Sequence, residues 1–350
     1  MTSSRKKILI VGPAWVGDMV MAQSLFMNLQ AMHDNIDIDV LAPSWSLPLL
    51  ARMPEVNQAI PVPIQHGQLG LSLRFKIGRQ IKKNNYQQAI VLPRSFKAAL
   101  IPFFAGIPQR TGYRGEMRYG VINDMRELDK SILTQTVQRY AALGLSDNVV
   151  SAPHIYYPSL IVDKDNQKAL LEKLKLSTEK PIICIMPGAE YGPAKQWPIA
   201  KYHELAGTLA DKGFQIWVIG SEKEKSVGQQ IQIQGMNDII NLCGQTSLVD
   251  AIDLIALAET AVCNDSGLMH VACATGRKVA AIYGSSSPSY TPPLSDHARV
   301  IYHDLECSPC FERHCPLQHT KCLQDIDVNE VLECITLQQE TGCGENFCLS

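Results

Sequence analysis

No stretch of this sequence approaches the roughly 18 consecutive apolar residues a helix needs to cross a bilayer, so no transmembrane helix is expected. Charge of one sign is also missing: 32 Lys and Arg stand against 34 Asp and Glu, a formal net charge of −2. There is thus no global basic field for wholesale binding of nucleic acid. The dinucleotide fingerprint G-x-G-x-x-G is absent, because Gly12-Pro-Ala-Trp-Val-Gly17-Asp-Met-Val20 has two glycines at the wrong spacing. A signal-peptide core is lacking too. Met1 to Lys7 is basic, but Ile8 to Val11 is too brief for an apolar leader and runs into Gly12-Pro13. It reads as a strand, and the protein is expected to stay in the cytoplasm. Cysteine is the exception to these absences, at 11 residues. An odd number without a leader argues against a secreted disulfide framework.

What is present is a repeated rhythm. Short apolar runs at Lys7–Val11, Asp37–Leu41, Gln58–Val62 and Gln88–Leu92 alternate with helical periodicity over 18–32, 47–53 and 69–83. Over 18–32, Val20, Met21, Ser24, Leu25, Leu29 and Met32 share one face. A softer stretch, Ser146–Asp165, contains Pro153 and Pro158. The rhythm then restarts with strands at Pro181–Met186, Phe214–Ile219, Ile239–Leu242, Thr260–Cys263 and Val279–Tyr283. Helices are predicted over 199–212, 248–258 and 267–274. Such alternation predicts two doubly wound, Rossmann-like α/β domains, with boundaries at 1–165 and 166–350. Ligands of such sheets bind beyond the carboxyl ends of the strands, and two such domains are expected to face one cleft.

The residues just after strands carry the chemistry. Asp18 follows Gly17 and is read either as a helix N-cap or as a general base. Pro187-Gly-Ala-Glu-Tyr-Gly-Pro-Ala-Lys195-Gln-Trp-Pro198 suits a phosphate grip through Lys195; the plainer reading leaves Lys195 solvated and Trp197 a core anchor. Glu222, after Gly220-Ser221, is placed to accept from ribose hydroxyls or is simply solvated. Cys263-Asn-Asp265-Ser266-Gly267-Leu268-Met269-His270 ends a strand and opens a helix, whose free N–H groups make an anion site. Its plainer reading makes Asp265 or Ser266 a cap and His270 a core histidine. Gly284-Ser-Ser-Ser-Pro288 is another polar strand-end loop.

These segments resemble the lipopolysaccharide heptosyltransferase family over nearly the whole chain. The resemblance rests on Trp15–Met21, Pro187–Pro198 and Asn264–Ala272, with Ser286–Ser295 and Cys307–Leu317 in support. Gly188–Lys195 and the cysteine block look like the type II branch rather than type I. Gln196, where arginine often precedes Trp-Pro, and Ser285, where proline is common, depart from the pattern.

The resemblance implies a GT-B fold, inversion at the anomeric carbon and no metal or other cofactor. It implies ADP-L-glycero-β-D-manno-heptose as donor and heptosyl-Kdo2-lipid A as acceptor, at the cytoplasmic face of the inner membrane. Asp18 is then the expected base. Lys195 and the N–H groups of Ser266, Gly267 and Leu268 are expected on the donor diphosphate, Glu222 on the ribose, and Asp265, Met269 and His270 in the same donor-binding segment. A basic strip, Arg94, Lys97, Arg114 and Arg118, together with Arg110 and Arg126, is expected to meet the anionic acceptor. A non-catalytic nucleotide-sugar sensor is the alternative class, and a nucleotide-sugar epimerase a second enzyme class. Cys307, Cys310, Cys315 and Cys322, spaced C-x2-C-x4-C-x6-C near His303, His314 and His319, are read as packed thiols in preference to a zinc knot. Cys184, Cys243, Cys263 and Cys273 are read as small buried hydrophobes.

Overall fold

Apolar runs bounded by glycine and proline become buried strands on both sides of residue 158. The structure, a computed structural model, describes residues 5–64, 67–145 and 150–340. Two compact units, Met1–Pro158 and Ser159–Ser350, divide the chain. The first contains β1 (Lys6–Val11), β2 (Ile36–Ala42), β3 (Val56–Pro61), β4 (Gln88–Val91), β5 (Gln109–Tyr113) and β6 (Asp124–Arg126). The second contains β7 (Ile182–Met186), β8 (Gln215–Val218), β9 (Ile239–Asn241), β10 (Thr260–Asn264), β11 (Lys278–Ile282) and β12 (Ala298–Ile301).

Each unit is one six-stranded sheet, ordered β3-β2-β1-β4-β5-β6 and β12-β11-β10-β7-β8-β9. All strand pairs are parallel. Counted within its own unit, each order is the Rossmann order 3-2-1-4-5-6, which reverses direction between its first and fourth strands. The reversal therefore falls between β1 and β4 in one unit and between β7 and β10 in the other. Crevices at those two places are dictated by topology.

Helices cover the sheets. In chain order they are α1 (Val16–Met32), α2 (Leu47–Leu50), α3 (Leu71–Ile81), α4 (Leu100–Phe104), α5 (Thr136–Ala142) and α6 (Lys164–Leu174). They continue as α7 (Ile199–Asp211), α8 (Lys225–Ile231), α9 (Leu248–Ile255), α10 (Gly267–Ala274), α11 (Lys321–Gln324) and α12 (Val328–Glu340). The single apolar face expected over 18–32 understates α1, whose residues Met19 to Phe26 are all buried. The reason is α5, which packs along α1. Gly144, just past α5, comes so close that a Cβ there would lie 2.6 Å from Leu25 Cδ1.

The division falls before the expected 165 because residues 159–163 are tied to the second unit. Leu160 N–H donates to the Ala274 carbonyl at 2.9 Å, and Asp163 N–H donates to Asp253 Oδ1 at 2.9 Å. Asp163 then caps α6 through Asp165 and Asn166 N–H. The core of the second unit joins Ile183, Ile185, Ile216, Val218, Val262, Ala280 and Ile282 to Trp197, Tyr202 and Leu205. Val331, Cys334 and Ile335 of α12 close it from outside. Among the described residues no helix is long and apolar enough to cross a membrane.

Candidate active site

At the reversal of the second sheet, one buried asparagine holds two loops. Asn264, last residue of β10, is fully buried. Its Oδ1 accepts from Trp197 N–H and from the Tyr202 hydroxyl, both at 3.0 Å, and its Nδ2 donates to the Pro187 carbonyl at 2.7 Å. The loop after β7 is thereby fixed at both ends to the end of β10. Trp197 is buried, and its Nε1 donates to the Ile326 carbonyl at 3.2 Å. The core-anchor reading of Trp197 therefore holds, and the anchor is what positions Lys195.

Lys195 reaches across the reversal. Its Nζ lies 2.5 Å from Asp265 Oδ2, with the lysine side chain 17% exposed and the aspartate 5%. The Tyr191 ring lies 5.3 Å from the same Nζ, and Arg313 covers that ring at 5.2 Å. Directly after Asp265, α10 begins with Ser266 as its N-cap and no side-chain cap. The half-buried N-terminal residues Ser266, Gly267 and Leu268 thus offer backbone N–H groups and the positive end of the helix dipole. The loop after β7 thus brings its cation to Asp265, the residue that precedes the helix N-cap, where an anionic group would meet both.

Two of the expected donor contacts are corrected. Met269 is fully buried and its sulfur accepts from the Tyr283 hydroxyl at 3.4 Å, so it packs under the loop and does not line it. His270 is 4% exposed. Burial, opposed by Asp265 and aided by Lys195, lowers its pKa to about 4, so the imidazole is neutral at pH 7. It is a core histidine, as the plainer reading had it.

The loop after β11, expected as a polar strand-end loop with no role for any one serine, contributes two specific groups. The Ser285 and Ser286 hydroxyls are buried and meet no hydrogen-bond partner among the described residues. Ser285 N–H donates to the Ala194 carbonyl at 3.3 Å, beside Lys195. The cysteine-rich segment backs this loop. Phe311 N–H donates to the Ser285 carbonyl (2.7 Å), Ser308 Oγ to the Gly284 carbonyl (2.6 Å) and Ala194 N–H to the Arg313 carbonyl (3.1 Å). Gly192 is required by close approach, since a Cβ there would lie 2.5 Å from the Arg313 oxygen.

Cys307, Cys310, Cys315 and Cys322 border one cavity of about 20 Å³ with Ala194, Ser285 and His319. Burial tends to raise the Cys315 pKa, but N–H groups from Thr320, Leu317, His319 and Gln318 bring it below the ordinary thiol value. Burial first, and the three neighbouring thiols after it, push Cys322 up to about 11. Cys184, Cys243, Cys263 and Cys273 are all buried, as expected. Cys343 and Cys348 lie outside the described residues.

Glu222 opens a 3-10 turn, Glu222–Glu224, after β8. Its side chain is exposed, lies 3.1 Å from Lys225 Nζ, and occupies space at Gly244 that a Cβ would fill. A larger cavity, of about 500 Å³, is lined by Lys164, Lys180, Glu259 and Arg277. It sits at the amino ends of β7 and β10, the wrong end of the sheet for the ligands of this fold.

In the first unit Asp18 is the third residue of α1, and the N-cap is Trp15 with no side-chain cap. The N-cap reading of Asp18 therefore falls. Its half-buried carboxylate accepts from the Tyr140 hydroxyl of α5 at 2.7 Å. Across the reversal of this sheet, Arg94 and Lys97 follow β4, Arg94 exposed and Lys97 half-buried. Arg94 donates to the Arg114 carbonyl at 2.9 Å, and exposed Arg114 pairs with Glu127 at 3.2 Å.

Arg118 does not belong to this strip. It is fully buried, donating to the Pro93 carbonyl at 2.7 Å and to the Tyr113 carbonyl. Burial first, then Arg94, lower its pKa to about 10, against an opposing pull from Glu116. Arg110 and Arg126 are likewise engaged, Arg110 by the Val121 carbonyl (2.7 Å) and Arg126 by Asp124 (3.0 Å).

Two Rossmann-like domains in one chain, each with polar groups gathered at the reversal of its sheet, are the architecture of GT-B glycosyltransferases. The family model of glycosyltransferase family 9 (heptosyltransferase) matches residues 74–321. Lipopolysaccharide heptosyltransferase 2 of Escherichia coli (strain K12) is 46% identical, over 95% of this chain and 99% of that protein. The protein of the same name from Salmonella typhimurium (strain LT2) is 48% identical over 84% of this chain and 87% of its own. The solved structure of E. coli ADP-heptose lps heptosyltransferase II superposes with a TM-score of 0.85 at 44% identity, covering 96% of this chain and all of that one. The chain belongs to glycosyltransferase family 9, the heptosyltransferases.

Proposed function

We propose that the chain moves L-glycero-D-manno-heptose from ADP-L-glycero-β-D-manno-heptose to the first heptose of heptosyl-Kdo2-lipid A, with inversion at the anomeric carbon. The names of its relatives support the reaction class. The observation that carries it is the Lys195–Asp265 pair beside the N-terminus of α10. Charge develops on the β-phosphate oxygen as the anomeric C–O bond breaks, and preorganised donors stabilise it where it appears. Lys195 and the N–H groups of Ser266, Gly267 and Leu268 have that chemistry. No metal is required in this scheme, because the protein supplies the compensating charge. The Ser285 and Ser286 hydroxyls and Glu222 serve the rest of the donor, with Glu222 on the ribose.

Asp18 is the base. It takes the proton of the acceptor hydroxyl as that oxygen bonds to the anomeric carbon, and ADP departs. Tyr140 orients the carboxylate by its hydrogen bond. Arg94, Lys97 and Arg114 meet the acidic groups of the acceptor, which is drawn from the cytoplasmic face of the inner membrane. The test is release of ADP from ADP-heptose with and without heptosyl-Kdo2-lipid A, with the product followed by mass. Acceptor-dependent release with a gain of one heptose is expected; binding without release would make the chain a sensor.

A further inference from the structure

Between Glu55 and Glu116 the sequence has no aspartate or glutamate but nine lysines and arginines, in a chain of net charge −2. This run builds α3, α4 and the loops that carry them. Ile77 and Ile81 of α3 join Ala99, Leu100 and Ile101 in the core against the first sheet. The opposite side of α3 is not polar. Leu69, Leu71 and Phe75 are each 51% exposed, and Phe103 of α4 is 43% exposed.

Specific contacts hold these side chains outward. Buried Arg74 donates from Nε to the Leu69 carbonyl at 2.7 Å. Gly70 turns the chain at φ +56°, against Ile64. Gly78 brings α3 onto α4, where a Cβ would lie 2.7 Å from Phe104 Cβ. Phe75 then meets Phe104 edge-on at 5.3 Å, and Phe104 meets Phe103 at 5.7 Å. The apolar groups of the two helices thus form one band. Lys76, Arg79, Lys82 and Lys83 are exposed beside it, and Arg110 lies 5.6 Å from the Phe103 ring. Among the described residues none of those first four has an acidic partner within 4.0 Å.

We propose that this band is a bilayer-docking surface. The Leu69–Leu71–Phe75–Phe103 side chains enter the headgroup boundary of an anionic membrane, and Lys76, Arg79, Lys82 and Lys83 sit on lipid phosphates. An exposed apolar patch of this kind marks an interaction site. An amphipathic helix with cations beside its apolar face lies in the plane of an anionic bilayer. A second copy of the chain fits poorly, because an isologous contact would set this all-cationic rim against itself. The inference rests on the membrane glycolipid acceptor proposed above.

The test is co-sedimentation of the full chain with vesicles of phosphatidylcholine, alone or mixed with phosphatidylglycerol. The wild type is expected on the mixed vesicles only, and to leave them at high salt. Leu71→Gln/Phe75→Gln is expected to weaken binding at least tenfold. Lys76→Gln/Lys82→Gln/Lys83→Gln is expected to weaken it about a hundredfold, at roughly 1 kcal/mol per lysine. Circular dichroism checks that both variants fold. Both are expected to keep wild-type turnover on a de-acylated, water-soluble acceptor and to lose it on acceptor held in vesicles. Failure of the wild type on the soluble acceptor, with vesicle binding intact, would remove the catalytic reading and leave the docking surface standing. Equal vesicle binding by wild type and variants, or none by the wild type, overturns the proposal. So does a change from dimer to monomer in light scattering of Leu71→Gln/Phe75→Gln without a change on vesicles.

Discussion

Lys195 Nζ meets Asp265 Oδ2 at 2.5 Å, joining the loops after β7 and β10 where the second sheet reverses. Lys195→Ala is expected to lose roughly 2–4 kcal/mol of transition-state stabilisation, the scale of one preorganised donor. It also strands the buried Asp265 carboxylate, so its melting temperature falls. Adding Asp265→Asn is expected to restore stability without restoring turnover. Steady-state kinetics and thermal melts read both effects. Unchanged turnover and donor KM in Lys195→Ala would sink the assignment.

Asp18→Asn keeps an oxygen for the Tyr140 hydroxyl and loses the charge. Stability is expected to change by less than about 1 kcal/mol, the worth of a first-turn carboxylate at a helix dipole. Turnover is expected to fall by about 10² or more, with donor binding intact. Tyr140→Phe is expected to fall less. Transfer by Asp18→Asn at the wild-type rate would place the base elsewhere.

Asn264→Ala leaves the Pro187 carbonyl, the Trp197 N–H and the Tyr202 hydroxyl without their buried partner. The expected loss is roughly 3 kcal/mol or more, at about 1–3 kcal/mol for each of the three groups stranded. Because the lost bonds hold the Lys195 loop, donor KM is expected to rise as well. Urea unfolding and donor titration measure the two; a loss of stability with KM unchanged would detach the brace from the site.

Buried His270, with its pKa lowered to about 4, makes stability depend on pH. Between its folded value and the ordinary 6.5, the unfolded chain binds the extra proton. Its contribution is therefore full above about pH 6.5 and declines as the pH falls towards 4. His270→Leu is expected to flatten that part of the stability curve relative to wild type. Denaturant midpoints across the range decide it, and parallel curves would refute the buried neutral imidazole.

The four thiols around the small cavity are expected to be free and the transfer metal-independent. Incubation with a chelator is expected to leave turnover unchanged. Metal analysis of protein purified without chelator is expected to find well under one zinc or iron per chain. A stoichiometric metal would make the cysteine block a structural metal site behind the Lys195 loop.

Much of the architecture is legible in the sequence. Ile8–Val11, Ile182–Met186 and Val279–Ile282 are apolar throughout because strands of a covered parallel sheet are buried on both faces. Local pattern alone therefore located the sheets, and glycine and proline marked their ends. Asp18, Lys195, Asp265 and Ser266 were legible for the same reason, as polar residues just beyond such strands. The strands β6 and β12 at sheet edges, and β5 next to β6, were not, since Gln-Arg-Thr-Gly-Tyr, Asp-Met-Arg and Ala-Arg-Val-Ile carry no apolar run.

Tertiary structure decided the rest. Nothing near Arg118 in sequence says that its guanidinium turns inward to the Pro93 and Tyr113 carbonyls. Met269 and His270 stand beside Ser266 in sequence, yet the helical turn points them into the core. The cysteine block was read as packed thiols; that Phe311 and Ser308 within it hold the loop after β11 needed the tertiary structure. The pairings Asp18–Tyr140 and Lys195–Asp265 span 122 and 70 residues. Local periodicity determines which residues end a strand; which strand ends become neighbours depends on sheet order, and only the assembled fold sets that.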